Sequence, residues 1–412
     1  MKFSIEELAT DRQQQPGLRS WRMSCSWADE SMELEFAGYN IDAELFRWYL
    51  ENFATKDPLS AKKASDVENS LVKYQEKICS LLLVGFFGNR SSPVVLDILH
   101  SGDKSSFHSL PSEFLENSSQ DQQLVVRRRA QATKDPLQDG KIQHQPETFN
   151  IFILAARSDD NDQAEYSQAA LPIVKLLQCL PAGSSTVTLE IAAQAKNKQY
   201  HLVHLDVRKK VAYLDFSDME ETAFAVAKLL RQHEVIYSVI NACESARADQ
   251  GKRANLATIF TQGGIPHVFA MSYKVQISAF KILLDAYYGS FLKSGSRFAE
   301  SAAVARKALR ETRTRIGKFG VELELEDWIV PVVYTSSDIN PGISNGQDLC
   351  AYLTFYELAS GTPGRNQILT ENWAIIARCV SVFRDAATLY ENDEEFSLWD
   401  NAAQESEVRS IT

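Results

Sequence analysis

One cysteine of this chain, Cys243, stands where a nucleophile would stand. The preceding residues 235–240 are mostly β-branched or aromatic, and a short apolar run of this kind predicts a buried strand of a parallel sheet. Polar residues surround the cysteine, namely Asn241, Glu244 and Ser245, and they would lie just past the carboxyl end of that strand. Open α/β sheets carry their functional groups at this edge. Cysteine chemistry is therefore the first hypothesis.

A cysteine peptidase needs more than the thiol itself. The thiolate is the nucleophile, and a free cysteine has a pKa of about 8.5, so a neighbouring imidazole or helix N-terminus has to lower that pKa or take the proton. Hydrogen-bond donors are also needed for the oxyanion that develops on the substrate. The alternative for Cys243 is a buried structural cysteine, because a free cysteine packs like a small hydrophobic residue.

Four histidines are candidates for the base, and each has a plainer interpretation. His204 lies within the strand predicted over 200–207 and His201 lies near its start, so both are interpreted as core or strand-face residues. His233 ends a helix just before the Cys243 strand, which puts it at the opposite edge of the sheet. His108 lies in a loop ahead of the α/β region and receives no position.

The elements that would position these residues alternate between strand and helix from residue 149 to residue 335. Strands are predicted over 149–156, 186–191, 200–207, 235–240, 266–271 and 328–334, and helices over 163–180, 219–233, 255–262, 275–292 and 297–315. This alternation predicts an α/β domain with a largely parallel sheet flanked by helices.

The rest of the chain divides into flanking segments. Residues 1–20 are polar and predict a disordered tail, whereas residues 21–130 predict an α+β region with a hairpin, two helices and two strands. Residues 131–148 contain two prolines and predict a linker. Beyond the α/β core over 149–335, residues 336–412 predict a tail of loop followed by one helix over 371–392.

Composition and charge exclude several classes of function. The chain of 412 residues is 44% hydrophobic and 24% charged with a net charge of -11, which argues against general binding to nucleic acid or to anionic membranes. No apolar run reaches ~18 residues, so no membrane span is predicted. The six cysteines are scattered without a Cys-x-x-Cys pair, which predicts neither a zinc site nor a disulfide framework.

The same observations set expectations for cofactors, compartment and partners. No phosphate-binding pattern of the Walker A type occurs, so neither a nucleotide nor any other cofactor is expected. Scattered free cysteines and the lack of a signal-like apolar segment at residues 1–7 favour a reduced, cytoplasmic compartment. A protein or peptide is the expected partner, and the oligomeric state is left open.

Several segments, taken in order, resemble the CHAT domain, a caspase-like peptidase domain of clan CD. Residues 47–51 look like the family's R-W-Y-L-E helix, and residues 110–115 look like its L-P-W-E-x-L segment, with Ser112 in place of the tryptophan. Residues 150–157 look like its first core strand, and residues 200–207 resemble its Y-H-x-x-H-F-D-x strand. The nucleophile motif is matched by 241–246, and residues 263–273 and 327–334 complete the set. The resemblance covers about residues 40–335.

The resemblance implies that Cys243 holds the nucleophile position and that its partners are lost. In the family, a strand beside the nucleophile strand ends in His-Gly, which supplies the base and an oxyanion-binding N–H group. Arg208 and Lys209 stand at those two positions. Arginine stays protonated and cannot act as a general base, although its charge would stabilise a thiolate. Asp206 is a candidate ion-pair partner for either cation.

Two short links in the chain also indicate a loss of peptidase architecture. Residues 192–199 join two predicted strands, whereas a parallel crossover needs a dozen or more residues. Residues 208–210 lead directly into the next apolar segment. The family carries a helix in the first link and a longer substrate-facing segment in the second, so the resemblance implies that architecture around the site is lost as well.

Three hypotheses follow. The first is a degenerate CHAT module, a pseudo-peptidase that binds or scaffolds other proteins. The second is an active cysteine endopeptidase in which Cys243 works with a non-standard base. The third is a piece of a larger signalling protein, since this family often continues into NTPase or repeat modules. The Arg208-Lys209 pair favours the first.

Overall fold

The architecture is that of a computed structural model, which describes most of the sheet and the helices that cover it. The described residues are 2–7, 18–25, 30–37, 42–86, 94–99, 111–117, 124–129, 148–156, 188–191, 200–207, 224, 227–228, 230–241, 256–337 and 348–355. Within them, no helix is both long enough and apolar enough to cross a membrane.

The centre of the fold is one large sheet in which most neighbouring strands run parallel. Twelve strands of the described residues form it, in the order β3-β2-β1-β4-β5-β13-β10-β9-β8-β6-β14-β7. Only the β1–β2, β2–β3 and β10–β13 pairs are antiparallel. The predicted α/β fold with a mostly parallel sheet and flanking helices is confirmed.

The strands are short and fall largely where the apolar runs predict them. Their bounds are β1 Lys2–Glu7, β2 Leu18–Cys25, β3 Glu30–Ala37, β4 Val94–Leu99, β5 Leu124–Arg129, β6 Thr148–Ala156, β7 Thr188–Ile191, β8 Leu202–Val207, β9 Tyr237–Asn241, β10 His267–Met271, β13 Pro331–Thr335 and β14 Asp348–Phe355. A separate two-stranded hairpin pairs β11, Thr314–Ile316, with β12, Glu322–Glu324.

The helices begin and end where capping and turn residues allow. They are α1 Ala43–Trp48, α2 Ala54–Lys56, α3 Ala61–Phe86, α4 Leu256–Gln262, α5 Ile277–Tyr288 and α6 Phe298–Glu311. Asp42 caps α1, because its Oδ1 accepts the backbone N–H groups of Glu44 and Leu45 at 3.0 Å. Gly264 ends α4 with a φ of 102°, a conformation that glycine adopts without a Cβ clash.

Both faces of the sheet are covered by helices. On one face, apolar side chains of α1, α3, α5 and α6 pack on the alternate strand residues Ile151, Tyr237, Val239, Phe269 and Val333. On the other face, α4 contacts β10 and β13. The strands between them are buried on both sides, which explains their nearly continuous apolar sequences.

The N-terminal region and the α/β core share this sheet. β5 of the N-terminal region runs parallel to β13 of the core, with Tyr334 opposite Arg128. Arg306 of α6 crosses the same boundary, because it is fully buried and ion-pairs with Glu116. The two regions are therefore continuous in hydrogen bonding and in charge pairing. The predicted boundaries between them stay predictions.

Two of the predicted flanking segments contain strands. The disordered tail predicted over 1–20 is wrong for residues 2–7 and 18–20, which form β1 and the start of β2. The predicted loop-and-helix tail is wrong for Asp348–Phe355, which form β14 between β6 and β7. β1 pairs with the remote β4 as well as with β2, and β14 pairs with the remote β6 and β7. Local composition does not reveal such remote partners. Of the linker predicted over 131–148, only Thr148 is described, and it begins β6. The helix predicted over 371–392 lies outside the described residues.

Three element predictions need smaller corrections. The helix predicted over 297–315 ends at Glu311, because the next residues turn into the β11–β12 hairpin. The strand predicted over 328–334 begins at Pro331, after a short helical turn over Asp327–Ile329. β7 and β8 are separated in the sheet by β14 and β6, so the short link 192–199 does not join neighbouring strands. That link itself lies outside the described residues.

Candidate functional site

The sequence predicts a site beyond the carboxyl ends of strands, and four parallel strands of the sheet end at one edge. β6, β8, β9 and β10 are consecutive neighbours in the order β10-β9-β8-β6, and all four run in the same direction. Their last residues are therefore at one edge of the sheet. The chain segments that follow these ends carry the candidate residues. In other α/β folds, functional residues also lie just beyond the carboxyl ends of the strands.

At this edge, Asp206 of β8 is the register partner of Asn241 of β9. The chain continues from Asp206 to Arg208 and Lys209, and from Asn241 to Cys243, Glu244 and Ser245. These five residues lie outside the described residues, so the structure gives neither their positions nor their contacts. Asn241 is buried, with 8% of its surface exposed.

His204 has the role of a core residue. It is fully buried in the middle of β8, opposite Val239 of β9. Its Nδ1 lies 2.6 Å from the hydroxyl of Tyr288 on α5, and the two rings stack at 5.9 Å between centroids. His204 lies three residues before Val207, the last residue of β8, which is ~10 Å along the strand. His204 is therefore held away from the carboxyl edge of the sheet.

The other described histidines lie toward the amino ends of their strands. His201 precedes β8 and its Nδ1 accepts the backbone N–H of Asn150 at 2.9 Å. Burial lowers the pKa of His201 to about 4. His267 begins β10 and pairs with Thr335 of β13, and His233 is exposed before β9. These three histidines therefore lie at the far end of the strands from the predicted site, and His108 lies outside the described residues.

The loop after β10 is anchored by a buried carboxylate to which sequence reasoning gave no role. Glu51 is 5% exposed, and its Oε1 accepts the backbone N–H of Lys274 at 3.4 Å. Its Oε2 accepts from Nε of Arg47 at 2.9 Å and lies 4.0 Å from Nζ of Lys274. The available signal was the spacing of Arg47 and Glu51, four residues apart in the segment that resembles the family's R-W-Y-L-E helix.

A second buried ion pair fixes the segment that leads into β13. Arg315 donates from Nε and Nη2 to the two carboxylate oxygens of Asp327, at 2.7 and 2.8 Å. Burial raises the pKa of Asp327 to about 6, and the Arg315 guanidinium opposes that rise. Just beyond, the carbonyl of Val330 accepts both the N–H and the hydroxyl of Ser272, at 2.9 and 2.8 Å. This second contact ties β13 to the residue that follows β10.

The segment that resembles L-P-W-E-x-L also supplies buried charges. Glu113 accepts two hydrogen bonds from Arg128 of β5, at 3.1 and 2.9 Å. Glu116 accepts two from Arg306 of α6, which also donates to the carbonyls of Val126 and Pro331. These contacts are structural: the Glu113–Arg128 pair lies within the N-terminal region, and Arg306 joins that region to the core. Sequence reasoning did not pair any of them, because the partners are up to 190 residues apart.

Known proteins match this chain weakly in sequence. No protein-family model matches the chain, and no curated protein matches it at a significant level. Two crystal structures of the separase–securin complex from Saccharomyces cerevisiae are similar, with TM-scores of 0.35 and 0.33 and sequence identities of 14% and 12%. In both, the match covers 66% of this chain and 17% of the separase-complex chain.

Proposed function

We propose that this chain is a caspase-like module of CHAT type whose peptidase site is impaired, and that it acts by binding or scaffolding other proteins. The observation that carries the proposal is the register of two strands. Asp206 pairs with Asn241, and Arg208 and Cys243 each follow two residues later in the sequence. Neighbouring strands lie ~4.8 Å apart, so we infer that Arg208 faces Cys243.

This placement supports a thiolate without supporting a peptidase. A guanidinium beside a cysteine favours the charged form of the thiol. It does not accept a proton, and at ordinary pH it does not release one to the leaving amine. In enzymes with a nucleophile and a general base, losing one member of the unit costs about 10⁴-fold in rate. The proposed module is therefore one with a reactive cysteine and no measurable turnover.

No described histidine is suited to replace the missing base. His204 is fully buried against Tyr288 in the middle of its strand, and His201 and His267 lie at the amino ends of theirs. A general base must come within hydrogen-bond reach of the thiol. The second candidate function, an active endopeptidase with Cys243 as nucleophile, would need a base from elsewhere in the chain, such as His108.

The test is peptidase activity. The wild-type protein and a Cys243→Ala variant would be incubated with a panel of fluorogenic peptides that differ at the residue before the cleaved bond, with an active caspase as the assay control. We expect no turnover above that of the Cys243→Ala protein. Turnover that the Cys243→Ala substitution abolishes would overturn the proposal and establish the endopeptidase instead.

A further inference from the structure

The β11–β12 hairpin displays two large apolar side chains to solvent. Ile316 is 72% exposed and Phe319 is 76% exposed. Single exposed apolar residues are ordinary on a protein surface. Here, however, two of the four most exposed large apolar side chains in the described part of the chain lie within four consecutive residues. Two exposed large apolar side chains on one turn need an explanation.

The backbone of the turn is strained at the more exposed of these residues. Phe319 has a φ of 65° and a ψ of 16°, the left-handed region that residues with a Cβ rarely adopt. The N–H of Gly320 donates to the carbonyl of Gly317 at 3.1 Å, and the N–H of Gly317 donates to Val321 at 2.7 Å. Backbone outliers of this kind persist where the surroundings fix them, and they concentrate at binding segments.

The base of the hairpin is rigid, so the tip is presented in a fixed position. Arg315 is buried and is held by both oxygens of Asp327, and the N–H of Leu325 donates to the carbonyl of Arg313 at 3.2 Å. A Cβ added at Gly317 would lie 2.7 Å from the carbonyl oxygen of Ala54. The turn therefore packs closely on α2, and its glycine cannot be replaced without movement.

The outward face of the hairpin combines apolar and acidic groups. Thr314 and Ile316 alternate with buried Arg315, and their register partners are the exposed Glu324 and Glu322. Arg313 ion-pairs with Glu324 at 3.4 Å and with Glu326 at 2.7 Å. One guanidinium thus serves two carboxylates.

Acidic side chains also surround the base of the hairpin. Burial raises the pKa of Glu68, and the charges of Glu326 and Glu324 raise it further, whereas the Tyr49 hydrogen bond and the Arg313 charge oppose the rise. Lys318 lies at the tip, with Nζ 5.1 Å from the centroid of the Phe319 ring. Over residues 313–327, four carboxylates face three cations, and one of those cations, Arg315, is buried against Asp327. The hairpin therefore carries a net negative charge.

We propose that this face, defined by Ile316, Phe319, Glu322 and Glu324, is a docking surface for a protein segment that carries basic side chains beside apolar ones. Phe319 and Ile316 bury apolar area on the partner, and the two carboxylates pair with its cations. A second copy of this acidic chain is disfavoured, because it would bring like charges together. The surface adds to the binding role proposed above, and it does not depend on the chemistry of Cys243.

The test uses the full chain and a labelled synthetic peptide in which pairs of leucine alternate with pairs of lysine, so that an extended peptide shows both types on each face. Binding would be measured by fluorescence anisotropy. The variant is Phe319→Gly, which removes the ring and relieves the backbone strain, so loss of folding does not account for its result. We expect binding at least about tenfold weaker, as the loss of one buried aromatic side chain predicts. Glu322→Gln should also weaken binding, and more so at low salt.

The matched control is Val72→Ser, which removes an apolar side chain that is 51% exposed on α3. It should bind the peptide as the wild type does, and so should Cys243→Ala, which separates this proposal from that of the peptidase site. A peptide with glutamate in place of lysine should bind weakly. Equal binding by wild type and Phe319→Gly would overturn the proposal. A concentration-dependent dimer that Phe319→Gly converts to monomer would also overturn it, in favour of a second copy.

Discussion

Asp206 and Asn241 are direct register partners on neighbouring parallel strands, and each is the last or next-to-last residue of its strand. This register places the ends of β8 and β9 side by side at one edge of the sheet. Arg208 and Cys243 follow these partners at equal separations along the chain. The proposed opposition of a guanidinium and a thiol rests on it.

The first prediction concerns the acidity of the Cys243 thiol. If Arg208 lies beside Cys243, the thiol pKa should be lower than the ~8.5 of a free cysteine, by about one unit or more. The sign follows from charge: a cation stabilises the thiolate, so the thiolate persists to lower pH. The measurement is the rate of iodoacetamide labelling against pH, with the Cys243 peptide quantified by mass spectrometry.

Two variants separate charge from packing in that experiment. Arg208→Ala should return the pKa toward the free value, whereas Arg208→Lys should keep most of the depression because the cation is retained. An ordinary or raised pKa in the wild type that Arg208→Ala does not change would show that the two side chains are not close together.

The second prediction concerns the pH dependence of stability. Burial lowers the pKa of His201 to about 4 in the folded protein, from about 6.5 when unfolded. The unfolded state therefore binds the proton more tightly, so stability present above pH ~6.5 is lost as the pH falls toward 4. The loss reaches about 3 kcal/mol in the free energy of unfolding. Protonation of Nδ1 would also remove the acceptor for the N–H of Asn150.

His201→Asn tests this, because its amide oxygen can accept the same N–H but does not titrate. Urea unfolding of wild type and variant between pH 4 and pH 7 should show a flatter profile for the variant. His233→Asn is the matched control, since His233 is exposed, and its profile should follow that of the wild type. Parallel profiles for wild type and His201→Asn would contradict the prediction.

The third prediction concerns the joint between the N-terminal region and the core. Arg306 is fully buried and bonds to Glu116 and to the carbonyls of Val126 and Pro331. Arg306→Met would leave the Glu116 carboxylate buried without its guanidinium, which costs about 3–5 kcal/mol of stability. Because the broken contact spans both regions, unfolding should stay a single transition at lower denaturant.

Lys307 of the same helix offers a control. Its side chain is 64% exposed and ion-pairs with Glu311 at 3.9 Å, so Lys307→Met should change stability by no more than about 0.5 kcal/mol. If Arg306→Met is as mild as Lys307→Met, the buried pair contributes little. If the N-terminal region of the Arg306→Met protein unfolds in a separate transition, the two regions do not fold as one unit.

The sequence alone predicted most of the core strands and the α/β class, because strands of a parallel sheet that are buried on both faces have nearly continuous apolar sequences. β6, β8 and β9 lie within two residues of their predicted bounds. β1 and β14 were missed, because each pairs with a strand that is remote in sequence, β4 and β6 respectively. The role of Glu51 was missed for the same reason: Lys274, whose backbone it holds, is 223 residues away.

For the site, the sequence by itself determined which residue types follow the ends of β8 and β9. The prediction that Arg208 takes the place of a catalytic histidine comes from the family resemblance. Only the tertiary structure decided that those two strands are neighbours with Asp206 opposite Asn241. It also decided that His204 belongs to the core beside Tyr288. The physical reason is that residue type is local, whereas register and burial are set by hydrogen bonds and packing between segments far apart in the chain.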